Sequence, residues 1–335
     1  MAYSAEPTRI GTLAPRGNEQ RRGNAPYHRP VLLRESVDAL CVRGGGVYAD
    51  VTFGGGGHSK EILRRLVEAT SDAADGGKGH LYGMDQDADA ISNAQGMTEG
   101  GQFTFIHGNF RHLRNFLRYE GAEQVDGILA DLGVSSHHFD DAQRGFSFRK
   151  DAPLDMRMNR QAARTAADIV NTYDEKQLAG VLRNYGEIER ANALAKAIVG
   201  AREKSPVSTT GQLANIVTDY LGRTGTEEMP RIFQALRIEV NDEMGALRQL
   251  LLQAVALLRP GGRLVVITYH SLEDRLVKNV IRTGNCEGDA VKDFYGRVHA
   301  PLRNVLGRPV TPSAEEINEN PRSRSAKLRA GEKTM

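Results

Sequence analysis

Apolar positions in the first part of the chain fall into short continuous runs separated by stretches of helical spacing. Val47–Val51, His80–Met84, Phe103–Ile106 and Val125–Ala130 read as buried strands, the second ending at Asp85. Lys60–Glu68, Asp87–Ala94 and Arg111–Tyr119 lie between them with the spacing of helices. Strands alternating with helices predict a parallel sheet covered on both faces. Sheets of this kind take ligands at the carboxyl ends of their strands. From about Thr165 to Leu221 the periodicity is helical only: Ala166–Asn171, Glu175–Asn184, Glu187–Lys204 and Gly211–Leu221, the last capped by Thr209 or Thr210. A helix over Leu247–Leu258 then reaches Arg259-Pro-Gly-Gly262, which ends it and makes the turn into a strand, Arg263–Tyr269. Helices without strands, placed between strands of one sheet, predict an inserted helical subdomain. The expected organisation is a disordered tail over 1–26, a sheet-containing domain over 27–140 and 226–312, an inserted helical subdomain over 141–225, and a basic tail over 313–335.

Between the first strand and the first helix stands YADVTFGGGGHSKEIL, residues 48–63. It lacks the GxxxxGK[ST] of a P-loop, and Ser59 occupies the place of the third glycine in the dinucleotide fingerprint. What remains is Asp50 followed by Gly54-x-Gly56 and Gly57. That resembles the first motif of S-adenosylmethionine-dependent methyltransferases, where glycine lets the backbone approach the methionine part of the cofactor. A merely tight turn is the competing reading. Asp85 ends the second strand, where a carboxylate receives ribose hydroxyls; Asp87 is its rival. Phe110, beyond the third strand, offers a face for adenine or, alternatively, a core contact.

Longer motifs follow in one order: Asp131-Leu-Gly-Val-Ser-Ser136, Arg144-Gly-Phe-Ser-Phe148, Pro153-Leu-Asp-Met-Arg-Met158, Phe233-Gln-Ala-Leu-Arg-Ile238, His270-Ser-Leu-Glu-Asp-Arg275 and Asn320-Pro-Arg-Ser-Arg-Ser-Ala-Lys-Leu-Arg329. With Pro30-Val-Leu-Leu-Arg-Glu-Ser36 and the glycine loop, they resemble the bacterial ribosomal RNA small subunit methyltransferase H family, the cytosine-N4 methyltransferases, over roughly residues 27–330. The resemblance implies an α/β class I S-adenosylmethionine-dependent methyltransferase fold with an inserted all-helical subdomain. It implies that Gly56, Gly57 and His58 meet the methionine end of the cofactor, Asp85 the ribose and Phe110 the adenine. Asp131 and the residue at 138 complete the site. The family's Ser-Ser-Pro-Gln-Leu-Asp is here Ser-Ser-His137-His138-Phe-Asp, so His138 stands for a glutamine and keeps one hydrogen bond. The segment before Phe233 is shorter than the family's. The implied substrate is a cytidine in the decoding region of 16S rRNA, the partner is the small ribosomal subunit, and a homodimer is compatible with it.

Composition narrows the chemistry. Charged residues at 26% and hydrophobic ones at 40% are ordinary for a globular chain, and no apolar run approaches a membrane span. Two cysteines, Cys41 and Cys286, make no disulfide framework and no metal-type CxxC pair, which points to the cytoplasm and to no metal. Zinc deaminase chemistry lacks its paired cysteines. Methylation of ring carbon five calls for a cysteine nucleophile, whereas methylation of the exocyclic amine is chiefly a matter of positioning. Asp131 stands where amino-methyltransferases carry an acceptor for the amine, although Leu-Gly-Val follows it instead of Pro-Pro. Arg144, Phe146, Phe148 and Arg149 interleave cations with aromatics, which suits an unpaired base and its phosphates. The alternative for the phenylalanines is an interior plug. His270 faces either substrate or the start of a helix, where Ser271-x-x-Asp274 resembles a capping box. The net charge of +2 hides a basic run, Arg322–Arg329, suited to phosphates. A nicotinamide-dependent Rossmann oxidoreductase and a noncatalytic RNA-binding module are the rival readings.

Overall fold

The computed structural model describes residues 30–71, 78–134, 139, 141–296 and 300–335. These pack as two compact units, one formed by residues up to 133 together with 246–335, the other by Val134–Gly245. The expected tail over 1–26 lies outside the described residues, as does His138.

The first unit is built on a seven-stranded sheet in the order β3-β2-β1-β4-β5-β7-β6. Its strands are β1 (Val47–Asp50), β2 (His80–Asp85), β3 (Phe103–His107), β4 (Val125–Asp131), β5 (Leu258–Thr268), β6 (Leu302–Asn304) and β7 (Lys327–Lys333). β1 to β5 pair in parallel, while β7 runs antiparallel to both β5 and β6. A dinucleotide fold of order 3-2-1-4-5-6 with all strands parallel has no such reversed strand between its last two. The sheet is that of a class I S-adenosylmethionine-dependent methyltransferase. The middle of β2, from Leu81 to Met84, and β4 from Gly127 to Ala130 are buried without alternation, as expected of strands covered on both faces. Helix α1 (Leu33–Leu40) precedes β1, and α2 (Gly57–Ser71), α3 (Ala90–Ala94) and α4 (Leu113–Tyr119) connect the first four strands. Val37, Leu40, Ile62 and Leu66 from α1 and α2 join Leu81, Leu129, Val265 and Leu328 from the sheet in one apolar cluster.

The second unit is helical: α5 (Ala166–Thr172), α6 (Glu175–Gly186), α7 (Ala191–Arg202), α8 (Thr210–Leu221) and α9 (Arg223–Asn241). Three of these start on reciprocal caps, Thr165 with Asp168, Asp174 with Gln177, and Thr209 with Gln212, which fixes Thr209 as the cap that spacing left open between two threonines. The expected boundary at 225/226 falls inside α9, one continuous helix of 19 residues despite Pro230. Proline at that point suggests a break, but buried Met229, Ile232, Phe233 and Leu236 keep the periodicity running through it. Helix α10 (Glu243–Leu257) leads to β5, and α11 (Ser271–Thr283) follows it. Among the described residues no helix is long and apolar enough to cross a membrane.

The largest departure from expectation concerns residues 313–335, read from charge as a tail. They form helix α12 (Ala314–Glu319), a 3-10 turn over Pro321–Ser325 and strand β7. In β7 the buried residues Leu328 and Ala330 stand among charged neighbours, so the basic composition masked an alternating strand. Leu328 pairs with Ile267 in the sheet and is fully buried. Leu328→Ala should therefore lower unfolding stability by about 2–4 kcal/mol, while Lys327→Ala on the exposed side should change it by no more than about 0.5 kcal/mol. Equal, small effects in denaturant titration would mean that β7 is not part of the folded core.

Candidate active site

The glycine loop is held in place before any ligand is considered. Beyond Asp50 the chain makes two more sheet-like bonds, Val51 N–H to the Leu129 carbonyl at 2.9 Å and Phe53 N–H to the Met84 carbonyl at 2.8 Å. It then turns through Gly54 and through Gly56 at φ 74°, and enters α2 at Gly57. The Asp50 carboxylate is fully buried and accepts from Thr52 N–H at 3.2 Å and from the Ser59 hydroxyl at 2.7 Å. It thus ties the end of the strand to the first turn of the helix. Asp85 braces the loop from the next strand, accepting from Gly54 N–H at 2.7 Å through one oxygen and from Asp87 N–H at 2.9 Å through the other. Asn93 adds a bond from its amide to the Gly54 carbonyl at 3.0 Å.

Register places two carboxylates on either side of this loop. Asp50 is opposite Gly83 on β2 and Leu129 on β4, so Asp85 and Asp131 each lie two residues further toward the carboxyl end. They stand level across β1, two strand spacings or roughly 10 Å apart. Asp131 N–H donates to the Thr52 hydroxyl at 2.6 Å, linking the tip of β4 to the loop. Its carboxyl group accepts from the Tyr269 hydroxyl, and Gly133 N–H approaches Oδ1 at 3.4 Å. A Cβ at Gly133 would come within 2.6 Å of the Tyr269 ring, so the ring lies there only because this residue has no side chain. His58 completes the group. Its Nε2 is 3.2 Å from the Val31 carbonyl oxygen, an acceptor only, which assigns the hydrogen to that nitrogen. Nδ1 is 4.0 Å from Asp131 Oδ2.

Burial governs the electrostatics. It raises the Asp50 pKa against the opposing pull of the His58 imidazole, the Ser59 hydroxyl and Thr52. It raises that of Asp131 in the same way, against His58, the Tyr269 hydroxyl and Gly133 N–H. Burial first, and then the neighbouring Asp131, push Tyr269 well above its ordinary value, so its O–H remains a donor. Asp131 is nonetheless reachable, with 21% of its side chain open to solvent. The arrangement offers a helix N-terminus that favours anions between two carboxylates that accept hydrogen bonds.

Gly56, Gly57, His58, Asp85 and Asp131 lie together around the glycine loop. Phe110 opens a 3-10 turn over Phe110–His112 just past β3, half-buried, with Asn109 capping the turn. Thr52, Ser59 and Tyr269 were not anticipated. A polar residue two or nine positions after a strand-end acid was the only available signal for the first two. Tyr269 follows a strand 138 residues further on (269 − 131), and its pairing with Asp131 is visible only in three dimensions.

Three residues expected at the substrate are instead engaged within their own unit. Arg144 is 2% exposed, and its guanidinium donates to the carbonyls of Arg157 at 3.1 Å and Met158 at 2.9 Å. Phe146 is buried in the core of the helical unit, edge-on to Phe139. His270 caps α11 through a reciprocal pair with Glu273, one residue earlier than the Ser271–Asp274 pattern suggested. Its Nε2 lies 3.1 Å from Glu273 Oε1. Phe148 and Arg149, in the second unit, remain exposed, with Phe148 edge-on to Phe233 at 5.3 Å.

The comparisons agree with one another. A family model described as the MraW methylase family matches residues 25–334. Relatives named ribosomal RNA small subunit methyltransferase H from Phocaeicola vulgatus and Bacteroides thetaiotaomicron are each 55% identical over 308 residues, covering 92% of this chain and 97% of their own length. The protein of the same name from Cytophaga hutchinsonii is 50% identical over 309 residues, covering 92% of this chain and 99% of its own.

A raised Asp50 pKa has a defined signature. The folded state holds the proton more tightly than the unfolded chain, so stability falls as pH rises from about 4, the unfolded value, through the folded pKa. Asp50→Asn removes that term while keeping an acceptor. The variant should lose less stability than the wild type between acid and neutral pH, read as the change in chemical-denaturation midpoint across that range. An identical slope would place the titration elsewhere.

Proposed function

The chain belongs to the MraW methylase family and uses S-adenosylmethionine, and from that premise we propose that it methylates the exocyclic N4 amine of one cytidine in the decoding region of 16S rRNA. The names of its relatives support small-subunit ribosomal RNA as the substrate, and the cytoplasm as the place where that substrate is met. The helix N-terminus at Gly56, Gly57 and His58 suits the methionine carboxylate. Asp85 suits the ribose hydroxyls and Phe110 the adenine. Asp131 faces the reactive end.

The observation that carries the choice of amine over ring carbon is the placement of acids and thiols. Cys41 follows α1, ahead of β1, and Cys286 is buried beyond the end of α11. Neither stands at the carboxyl end of a parallel strand, where addition to the ring would require a thiolate. Asp131 does stand there. The bound cofactor supplies a methyl group on a positively charged sulfur, which departs with the bonding electron pair. Asp131 accepts an N–H of the target amine and so turns the nitrogen lone pair toward that methyl group. As the N–C bond forms the nitrogen becomes positive, and the adjacent carboxylate stabilises that charge and takes the released proton. Tyr269 holds the carboxyl group in orientation through its own O–H. Phe148 and Arg149 are offered to the RNA; Arg144, Phe146 and His270 are not.

Labelled methyl transfer to small ribosomal subunits lacking the modification, followed by nucleoside analysis, should yield N4-methylcytidine. Label in 5-methylcytidine would overturn the assignment. Asp131→Asn keeps an acceptor for Tyr269, and its melting temperature should stay close to wild type while transfer falls by about a hundredfold. A variant that melts early yet retains its rate would make Asp131 a structural cap. Asp85→Ala should weaken cofactor binding by about 1.5–3 kcal/mol in calorimetry.

A further inference from the structure

A cavity of about 380 Å³ opens on the first unit, away from the glycine loop, between α11, β6, the residues following β6, and β7. Its rim carries Lys278, Arg282 and Arg308, and Arg329 lies within it. Arg329 is already balanced, bound by two hydrogen bonds to Asp274 at 2.6 and 3.0 Å. Among the described residues, Arg282 reaches only the Gly288 carbonyl, at 3.4 Å. Among the described residues, neither Lys278 nor Arg308 is ion-paired to a carboxylate, and no acid lines the cavity. Its floor is apolar, with Ile281 and Leu302 buried. Three exposed cations, none ion-paired to a carboxylate among the described residues although Lys278 feels Asp274 at longer range, surround an apolar floor and favour a ligand that is both anionic and flat-faced.

The chain joining the two walls of this cavity carries a second signal. Between α11 and β6, Phe294 is 98% exposed and Tyr295 80% exposed, with their rings edge-on at 5.7 Å. The Phe294 ring, turned to water with cations nearby in sequence, matches the stacking platforms of single-stranded nucleic acid. The distance from the chemistry also fits. α11 starts beside the carboxyl end of β5, and at about 1.5 Å per residue Lys278 and Arg282 lie roughly 12 and 18 Å along it from His270. A strand a few nucleotides long spans that interval.

We propose that this cavity is a docking site for a single-stranded segment of the substrate RNA flanking the target, with backbone phosphates on Lys278, Arg282 and Arg308 and a base against the Ile281–Leu302 floor. The proposal rests on the ribosomal RNA reading above and adds to it a surface remote from the cofactor. It gives the enzyme a second hold on its substrate, one that adds affinity without touching the reacting amine.

The test uses the full chain and the triple variant Lys278→Glu, Arg282→Glu, Arg308→Glu, with a labelled single-stranded fragment of the small-subunit RNA as probe. The affinity of the variant should fall by about tenfold or more, and its salt dependence should flatten by about two log units per log unit of salt, the share of three lost phosphate contacts on a single strand. Cofactor affinity and melting temperature should stay at wild-type values. Phe294→Ser with Tyr295→Ser should weaken the same binding without changing the salt slope. Wild-type affinity and slope in the triple variant would overturn the proposal, as would cation-dependent binding to phosphatidylglycerol vesicles with RNA affinity unchanged. The two readings fail separately. A wild-type enzyme that methylates small subunits alongside a triple variant that binds RNA normally removes the docking site alone. A wild type that leaves the RNA unmethylated, yet binds it through these cations, removes the assigned reaction and keeps the site.

Discussion

Asp50 sits at the end of β1 without access to water, accepting from Thr52 N–H and the Ser59 hydroxyl, so that strand and helix meet in one geometry across four glycines. The geometry at the carboxyl ends of β2 and β4 follows from that junction. Thr52, fixed by it, receives the Asp131 N–H and sets the tip of β4. Gly54, at the crest of the turn, donates to Asp85 and sets the tip of β2. A buried carboxylate is unfavourable by itself, as its raised pKa records. It persists because each oxygen has a donor, and because replacing it with an apolar group would leave a backbone N–H and a hydroxyl unsatisfied.

The sheet was legible where both faces of a strand are covered, because a continuous apolar run that stops at an acid matches a buried strand reaching a polar rim and little else. Asp85 and Asp131 could be placed at strand tips for that reason. β7 was not legible, since its inward residues Leu328 and Ala330 are only two among charged neighbours and the run read as surface. Tyr269 escaped for a different cause: its role depends on a partner in another strand and on a bare Gly133 beside it, a relation that spacing does not encode. Family resemblance singled out the glycine loop but said nothing of the bonds that hold it.

Interleaved cations and aromatics also suggested work that differs from what some of these residues do. Arg144 looked like an RNA contact because it is a cation beside two phenylalanines. Its guanidinium instead satisfies the carbonyls of Arg157 and Met158, and Asn241 at the end of α9 pins the same segment by accepting from Met158 N–H at 2.8 Å and donating to the Met156 carbonyl at 2.9 Å. Motifs that identify a family can be recurrent because they close a local loop, with groups such as Phe148 and Arg149 as their exposed remainder.

The reversed strand has a bearing on how the molecule comes off the ribosome. β5 is completed with Thr268, but the partner on its outer edge begins only at Lys327, with Ile267 waiting for Leu328 roughly sixty residues later. Until then the apolar stretch Leu264–Ile267 presents unpaired backbone on one side, the kind of edge that recruits strands from other nascent chains. Synthesis speed through that interval, and chaperone cover during it, therefore bear on the yield of native protein.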